Sequence, residues 1–389
     1  MTSEQTRATV LCALVAMLDG FDTQAIAYVA PSIAEAWSLN SSALGSVFAL
    51  GLLGLAIGAF TLSPLADRFG RKTVILISVL AFALFALLTA RAQSLGELAG
   101  YRLLTGIGLG GAMPNIIALT SEHAPANRRG TLVTAMFCGF PLGATLGGFV
   151  SAPLIQAYGW QSVFVVGGLM PLMLAPVLLF LLPESVRADV AGEAPARRFA
   201  VFELFAEGRA RRTTLVWVAF FMNLLVLYFL TNWLPSLLRT SGMQLSTAIW
   251  STALLNLGGV AGGLSLGRLI DRYNPYVVLG TAYAAAAACI VAIASSGGGP
   301  LLLLFALLAG VGISGAQIGL NAVTAASYPK AIRATGIGWA LGMGRVGSIL
   351  GPAAGGALLA AGWTTQSLLM AAVAPAMIAS AAVFALRRV

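Results

Sequence analysis

Twelve apolar stretches, each about as long as a membrane span, follow one another along this chain: 8–30, 42–64, 73–91, 98–122, 131–156, 160–182, 213–237, 246–269, 275–296, 300–327, 334–361 and 364–386. A helix needs roughly 20 apolar residues to cross the hydrocarbon core of a bilayer. The expectation is an all-α membrane protein with twelve transmembrane helices. Composition agrees, since 59% of residues are hydrophobic and only 9% charged, where a soluble domain carries roughly 25% charged residues. No long soluble domain is left over. The stretches that begin at 98, 131, 300 and 334 exceed a straight span, so those helices are expected to tilt. The first stretch reads as a membrane helix rather than a cleaved leader: it is too long, holds two acids and lacks a small-residue cleavage pattern. Cys12, Cys138 and Cys289 all lie in apolar stretches and read as small core residues, not as a disulfide set or a metal site.

The net charge of +9 raises nucleic acid as a partner, and its distribution rejects it. With the amino terminus in the cytoplasm and the loops alternating, 18 basic residues fall inside and two, Arg91 and Arg239, fall outside. The positive-inside rule then puts both termini in the cytoplasm. The expected location is the inner (plasma) membrane of a bacterial-type cell, crossed many times. Arg209, Arg211 and Arg212 offer a minor contact with anionic lipid. Arg102 and Arg345 remain within spans.

The chain repeats itself at an offset of 204 residues. Gly58 falls on Gly262, Asp67 on Asp271 and Arg68 on Arg272. Gly106, Gly108 and Gly111 fall on Gly310, Gly312 and Gly315; Pro125, Arg129 and Thr131 fall on Pro329, Arg333 and Thr335; Gly143 and Gly147 fall on Gly347 and Gly351. One shift holds across four helices without a gap. Two pseudo-symmetric six-helix bundles are expected, 1–182 and 213–389, in parallel orientation and joined by a polar cytoplasmic linker, 183–212. Parallel repeats of this kind are the arrangement of major facilitator transporters, whose halves rock about a site at their interface. Glycine-rich runs such as Gly106-Ile107-Gly108-Leu109-Gly110-Gly111 and Gly258-Gly259-Val260-Ala261-Gly262-Gly263 suit close helix packing. They are not dinucleotide fingerprints, because no strand precedes them and no βαβ unit surrounds them.

Against this apolar background the ionisable residues stand out. Asp19 and Asp22 lie inside the first span, and each would cost about 3 kcal/mol at mid-bilayer on the mildest scale. At i and i+3 they share a helix face and are expected to line one cavity. Arg102 begins the fourth span near its outer end, where it could snorkel to the interface. Arg345 sits about twelve residues into span 11 and is expected near mid-depth, where a guanidinium pairs with an acid or binds an anion. Gln24, Asn115, Asn223, Asn232, Asn256, Gln317 and Asn321 are polar groups within spans, each more often an interhelical hydrogen bond than a ligand contact; Gln317 and Asn321, at i,i+4, share a face. An aromatic wall would draw on at most two of Tyr28, Phe137, Phe221, Tyr228 and Trp233. His123, the only histidine, has no partner for a metal pair or imidazole relay and is assigned an interfacial role. In the loop Pro64-Leu65-Ala66-Asp67-Arg68-Phe69-Gly70-Arg71-Lys72, Asp67 is expected to cap a helix end and pair with Arg71 or a facing helix N-terminus. Glu122 is expected to pair with Arg129 or Arg333 as a gate contact.

The motifs Asp19-Gly20-Phe21-Asp22-Thr23, Asp67-Arg68-Phe69-Gly70-Arg71-Lys72, Arg102-Leu103-Leu104-Thr105-Gly106, Met113-Pro114-Asn115, Ser121-Glu122, Asn232-Trp233-Leu234-Pro235, and Ile332-Arg333-Ala334-Thr335-Gly336 with Gly344-Arg345 make the chain resemble the major facilitator superfamily. Within it the chain is similar to the aromatic acid:proton symporters, over essentially all twelve spans. By that similarity Asp19, Asp22, Arg102, Glu122, Arg333 and Arg345 match positions that family uses for transport. The resemblance implies proton-coupled uptake of a small aromatic carboxylate, such as a hydroxybenzoate or protocatechuate, by alternating access. Asp22, aided by Asp19, would carry the proton, and Arg345, with Arg102, would bind the carboxylate. Asn115, Tyr228, Asn232, Gln317 and Asn321 complete the expected substrate contacts, with polar residues on spans 7 and 10 reading ring hydroxyls. Asp67, Arg68, Arg71, Glu122, Arg129, Asp271 and Arg333 are the expected gate. The partners implied are the acid, protons and the bilayer, with a monomer as the assembly, no cofactor, no metal and no enzymatic activity. Two rivals stay open. The stretch from Arg102 to Ser185 is also similar to carriers of 3-(3-hydroxyphenyl)propionate, which differ at span 1, where Glu-Gly-Leu-Asp is usual. Gly351-Pro352-Ala353-Ala354-Gly355-Gly356 resembles the Gly-Pro motif of proton-coupled drug exporters, which those carry in span 5; span 5 here has only Gly139-Phe140-Pro141-Leu142-Gly143.

Overall fold

The computed structural model describes residues 3–125, 128–184, 200–296, 299–329 and 332–388. The regular structure among them is helical throughout. The chain forms two compact units, Met1–Val190 and Ala191–Val389. The first holds α1 (Ser3–Ala36), α2 (Leu44–Thr61), α3 (Arg71–Thr89), α4 (Leu95–His123), α5 (Arg129–Phe137 and Gly139–Tyr158) and α6 (Gln161–Leu181). The second holds α7 (Ala210–Thr240), α8 (Leu245–Arg272), α9 (Pro275–Ser295), α10 (Pro300–Gly310, a π-turn at Val311–Gly315, then Ala316–Ser327), α11 (Arg333–Ala360) and α12 (Thr365–Leu386).

Helix starts follow local chemistry. Ser94 accepts from the Glu97 amide at 3.2 Å while Glu97 Oε2 accepts from the Gln93 amide at 2.9 Å, so the N-terminus of α4 is capped reciprocally. Asn274 accepts from the amides of Tyr276 and Val277, with Pro275 at the first helical position of α9. Gly70, at φ 86°, makes the turn into α3 that a side chain would strain. Half of the expected linker, residues 185–199, lies outside the described residues. Past it, Thr213 donates to the Leu204 carbonyl at 2.6 Å, which folds the approach to α7 onto that helix.

Eleven helices among the described residues are long and apolar enough to cross a membrane. The twelfth expected span is α11, present as a helix but less apolar than the rest. This helix has 28 residues, ample length, but Arg345 and its glycines dilute its hydropathy. Large apolar side chains such as Phe60, Met173 and Phe180 stand exposed, as they do where a protein faces lipid.

In lipid, tight van der Waals packing rather than water exclusion holds helices together, and small residues permit it. The same glycine seams occur in both units. A Cβ on Gly54 or Gly58 of α2 would collide with the carbonyl of Leu103 or Ile107 on α4. Gly258 and Gly262 of α8 stand in the same way against Leu307 and Val311 of α10. Gly143 of α5 backs onto the Met17 carbonyl of α1, and Gly347 of α11 backs onto the Phe221 carbonyl of α7. In every case both partners recur 204 residues later. The repeat is therefore one of helix-to-helix contact as well as of letters. Around the seams pack Val15, Phe82, Leu109 and Ile116 in the first unit, and Val216, Phe220, Tyr283 and Leu320 in the second.

Candidate functional site

In the first unit, Asp22 and Arg102 form an ion pair that bridges α1 and α4. Arg102 Nη1 donates to Asp22 Oδ2 at 2.9 Å, and Nη2 donates to the Asp22 carbonyl at 2.9 Å. Asp22 is 0% exposed and Arg102 is 3% exposed. The guanidinium also lies over the Phe164 ring of α6, 5.6 Å from its centre. Arg102 thus does not snorkel to an interface. Its charge is held by Asp22, which is the cheapest outcome for two ions in a low-dielectric seam. The pair is not fully satisfied: Asp22 Oδ1 and Arg102 Nε have no hydrogen-bond partner among the described residues. Gly167 of α6 comes against this oxygen, and a Cβ there would lie 3.7 Å from it.

Asp19 is buried too but differently placed, accepting from Thr23 Oγ1 at 3.1 Å on its own helix. The expectation that both acids line one cavity is therefore corrected for Asp22, which is packed into the seam between α1, α4 and α6. Asn115 donates to the Gly111 carbonyl of α4 at 2.8 Å, with its Oδ1 unpartnered among the described residues.

At the end of this unit that carries the loop between α2 and α3, Arg71 Nε donates to Glu122 Oε1 of α4. Sequence reasoning missed this pair, having matched Arg71 with Asp67 and Glu122 with Arg129 or Arg333. The Asp67 side chain lies outside those described. Arg68 is exposed over the Phe69 ring at 5.3 Å, and Arg129 is exposed at the start of α5. His123 is buried at the last position of α4. Its Nδ1 lies 3.0 Å from the Leu119 carbonyl and its Nε2 lies 3.8 Å from Glu4 Oε1.

The second unit carries a chain of three amides. Asn223 Nδ2 of α7 donates to Gln317 Oε1 of α10, and Gln317 Nε2 donates to Asn321 Oδ1 at 3.3 Å. Asn223 is 0% exposed, and its Oδ1 has no partner among the described residues. Gln317 and Asn321 are half-buried and follow directly on the π-turn, a local widening that recurs at functional positions.

Arg345 of α11 is half-buried, and its guanidinium makes no hydrogen bond or ion pair among the described residues. Its neighbours set its level. Gly344 packs against Phe220 and Leu224, and Gly347 against the Phe221 carbonyl, so Arg345 stands beside the turn of α7 that carries Asn223.

Other expected contacts are turned inward on their own helices or seams. Asn232 donates to the Tyr228 carbonyl at 2.8 Å, and Tyr228 is half-buried. Trp233 Nε1 donates to the Pro352 carbonyl at 2.9 Å, and Tyr28 donates to the Ala144 carbonyl at 2.7 Å. These two aromatics are tied into packed seams. Asp271 is exposed at the end of α8, and Arg333 Nε donates to the Tyr328 carbonyl at 3.4 Å.

Repeat-related units of membrane-length helices, with ionic and amide groups buried in their seams, define a multi-span membrane transporter. The sequence matches the Major Facilitator Superfamily over residues 12–318 and 257–389, and the chain belongs to that family. It is 42% identical to the 4-hydroxybenzoate transporter PcaK of Pseudomonas aeruginosa, across 97% of this chain and 92% of that protein. It is likewise 42% identical to the 3-(3-hydroxy-phenyl)propionate transporter of Escherichia coli, across 97% of this chain and 92% of that protein. Among solved structures, a bacterial homologue of the human lysosomal transporter Spinster, inward-facing and unoccupied, superposes with a TM-score of 0.83. At 19% identity, over 100% of this chain and 98% of that one, this likeness speaks for the fold alone.

Proposed function

We propose that the protein takes up a small aromatic carboxylate, of the hydroxybenzoate or protocatechuate kind, together with protons. The observation that carries this reading is the contrast between two arginines within spans. Arg102 is held by Asp22, whereas the Arg345 guanidinium has no partner among the described residues. A free guanidinium in a membrane seam is a natural ligand for a carboxylate. The relatives that carry 4-hydroxybenzoate support the aromatic class.

In this reading Asp22, with Asp19 beside it on α1, is the proton site. A proton on Asp22 neutralises the carboxylate and loosens its hold on Arg102. A proton and an anion bound together add no net charge, which is the condition under which access can alternate. Arg71, Glu122, Arg129, Asp271 and Arg333, with Asp67 and Arg68, act as the gate. The protein sits as a monomer in the inner membrane, with both termini in the cytoplasm. The relative from E. coli favours 3-(3-hydroxyphenyl)propionate as a second candidate substrate. A drug exporter would leave Arg345 without a task.

The test is uptake of labelled 4-hydroxybenzoate into proteoliposomes under an inward proton gradient. Wild type accumulates the label above equilibrium, and Asp22→Asn does not. Arg345→Gln weakens binding of the acid at least tenfold. Uphill uptake by Asp22→Asn at the wild-type level would remove the proton role.

A further inference from the structure

We propose that Phe164 of α6 is a positioning residue for proton coupling, its ring serving as a second seat for the Arg102 guanidinium when a proton on Asp22 cancels the ion pair. This rests on the reading of Asp22 as the proton site, and adds where the arginine goes once its counter-charge is gone.

Two groups of different kind hold the guanidinium. Asp22 accepts two hydrogen bonds of 2.9 Å, through Oδ2 and its backbone carbonyl. The Phe164 ring lies under the guanidinium at 5.6 Å, near the outer limit of about 6 Å at which a ring face attracts a cation. While Asp22 is ionised, its carboxylate holds the cation short of the ring. A proton adds to Asp22 Oδ1, the oxygen without a hydrogen-bond partner among the described residues. The carboxyl group is then neutral, and Oδ2 remains only as a weak acceptor. Arg102 keeps its charge, because a guanidinium does not give up its proton in a protein. An uncompensated cation in an apolar seam is costly. The electron-rich ring face lowers that cost without a charge of its own, and the arginine closes on it.

Few other charges reach this level of the unit. On α1 there is Asp19, one turn before Asp22 and bonded to Thr23. On α4, Glu97 is exposed at the helix start, and Glu122 and His123 stand at the far end. The helix α2 carries no charged residue, and α3 carries only Arg71 and Lys72, at that far end with Glu122 and Glu184. Between Gly130 and Leu181, α5 and α6 contain no acid, lysine, arginine or histidine. The ring is also held in place. Phe164 is 0% exposed and meets Trp160 edge-on at 6.1 Å, and Trp160 meets Trp37 edge-on at 5.7 Å. The repeat separates this role from plain packing. The positions 204 residues after Asp22, Arg102 and Phe164 hold Val226, Ala306 and Leu368. Where the ion pair is missing the ring is missing too, although Leu368 is just as deeply buried.

The experiment measures initial uptake of labelled 4-hydroxybenzoate into proteoliposomes as a function of external pH. Wild type is compared with Phe164→Leu and with full-length protein carrying a trifluorinated phenylalanine at position 164. Fluorine keeps the shape of the ring and withdraws electron density from its face. Without the second seat the proton-loaded form is costlier, so both variants need more protons. The pH of half-maximal uptake moves down by about 0.5–1 unit (~0.7–1.4 kcal/mol), and the rate recovers at lower pH. The fluorinated protein gives the reading should Phe164→Leu fold poorly. A profile that does not move in the fluorinated protein, or a rate lowered equally at every pH, overturns the role of Phe164 while the Asp22 reading stands. Wild-type uptake that is absent or indifferent to pH, or a wild-type profile in Asp22→Asn, overturns the Asp22 reading itself, and this inference with it.

Discussion

Asp19, Asp22 and Arg102 of the first unit have their counterparts 204 residues later in Asn223, Val226 and Ala306 of the second. The glycine seams around these positions are the same in both units: Gly143 on Met17 is repeated as Gly347 on Phe221. Scaffold and chemistry have thus parted company. One bundle holds a buried ion pair; the other has apolar side chains at the matching positions and neutral amides nearby, on Asn223 of α7 and on Gln317 and Asn321 of α10. A repeated scaffold needs equal spacing between helices, so its glycines are held in both copies. Ionisable groups are costly in lipid and are retained only where a charge does something.

The sharpest way to break this comparison is to remove one half of the ion pair. Arg102→Met leaves the Asp22 carboxylate buried and uncompensated, and it should destabilise the first unit by about 3–5 kcal/mol. Unfolding in detergent with a denaturant reads this directly, and Asp22→Asn in the same chain should recover much of the loss. A single variant as stable as wild type would mean that the pair carries no weight. Next in size are the matched seams. Gly143→Ala and Gly347→Ala each push a methyl group into a neighbouring backbone, and each should cost about 1–3 kcal/mol. Similar losses sharpen the scaffold argument, and a loss in one unit only would break it. The smallest expected effect is that of Arg345→Gln on folding, within about 0.5 kcal/mol of wild type, because no described partner is orphaned. That variant should fail in acid binding while unfolding normally, the reverse of a structural arginine.

Much of the site was legible at short range. Thr23 on Asp19 and Gln317 on Asn321 are i,i+4 pairs that helical periodicity alone brings together. Asp22 and Arg102 were both visible as unusual residues, but their pairing was not. They are 80 residues apart, and Arg102 near a helix end reads equally well as a snorkelling side chain. Arg71 with Glu122, 51 residues apart, escaped for the same reason. Phe164, which shelters the Arg102 guanidinium, carried no signal, because one phenylalanine in an apolar span looks like any other.

By itself the sequence determined the helices, their number and their doubling, because a bilayer demands long apolar runs and a repeat leaves its glycines at a constant offset. Only the tertiary structure decided which charges meet and which stay free. Along one helix partners are set by the 3.6-residue turn. Between helices they depend on rotation and depth, and close glycine contacts fix both only once the bundle is packed.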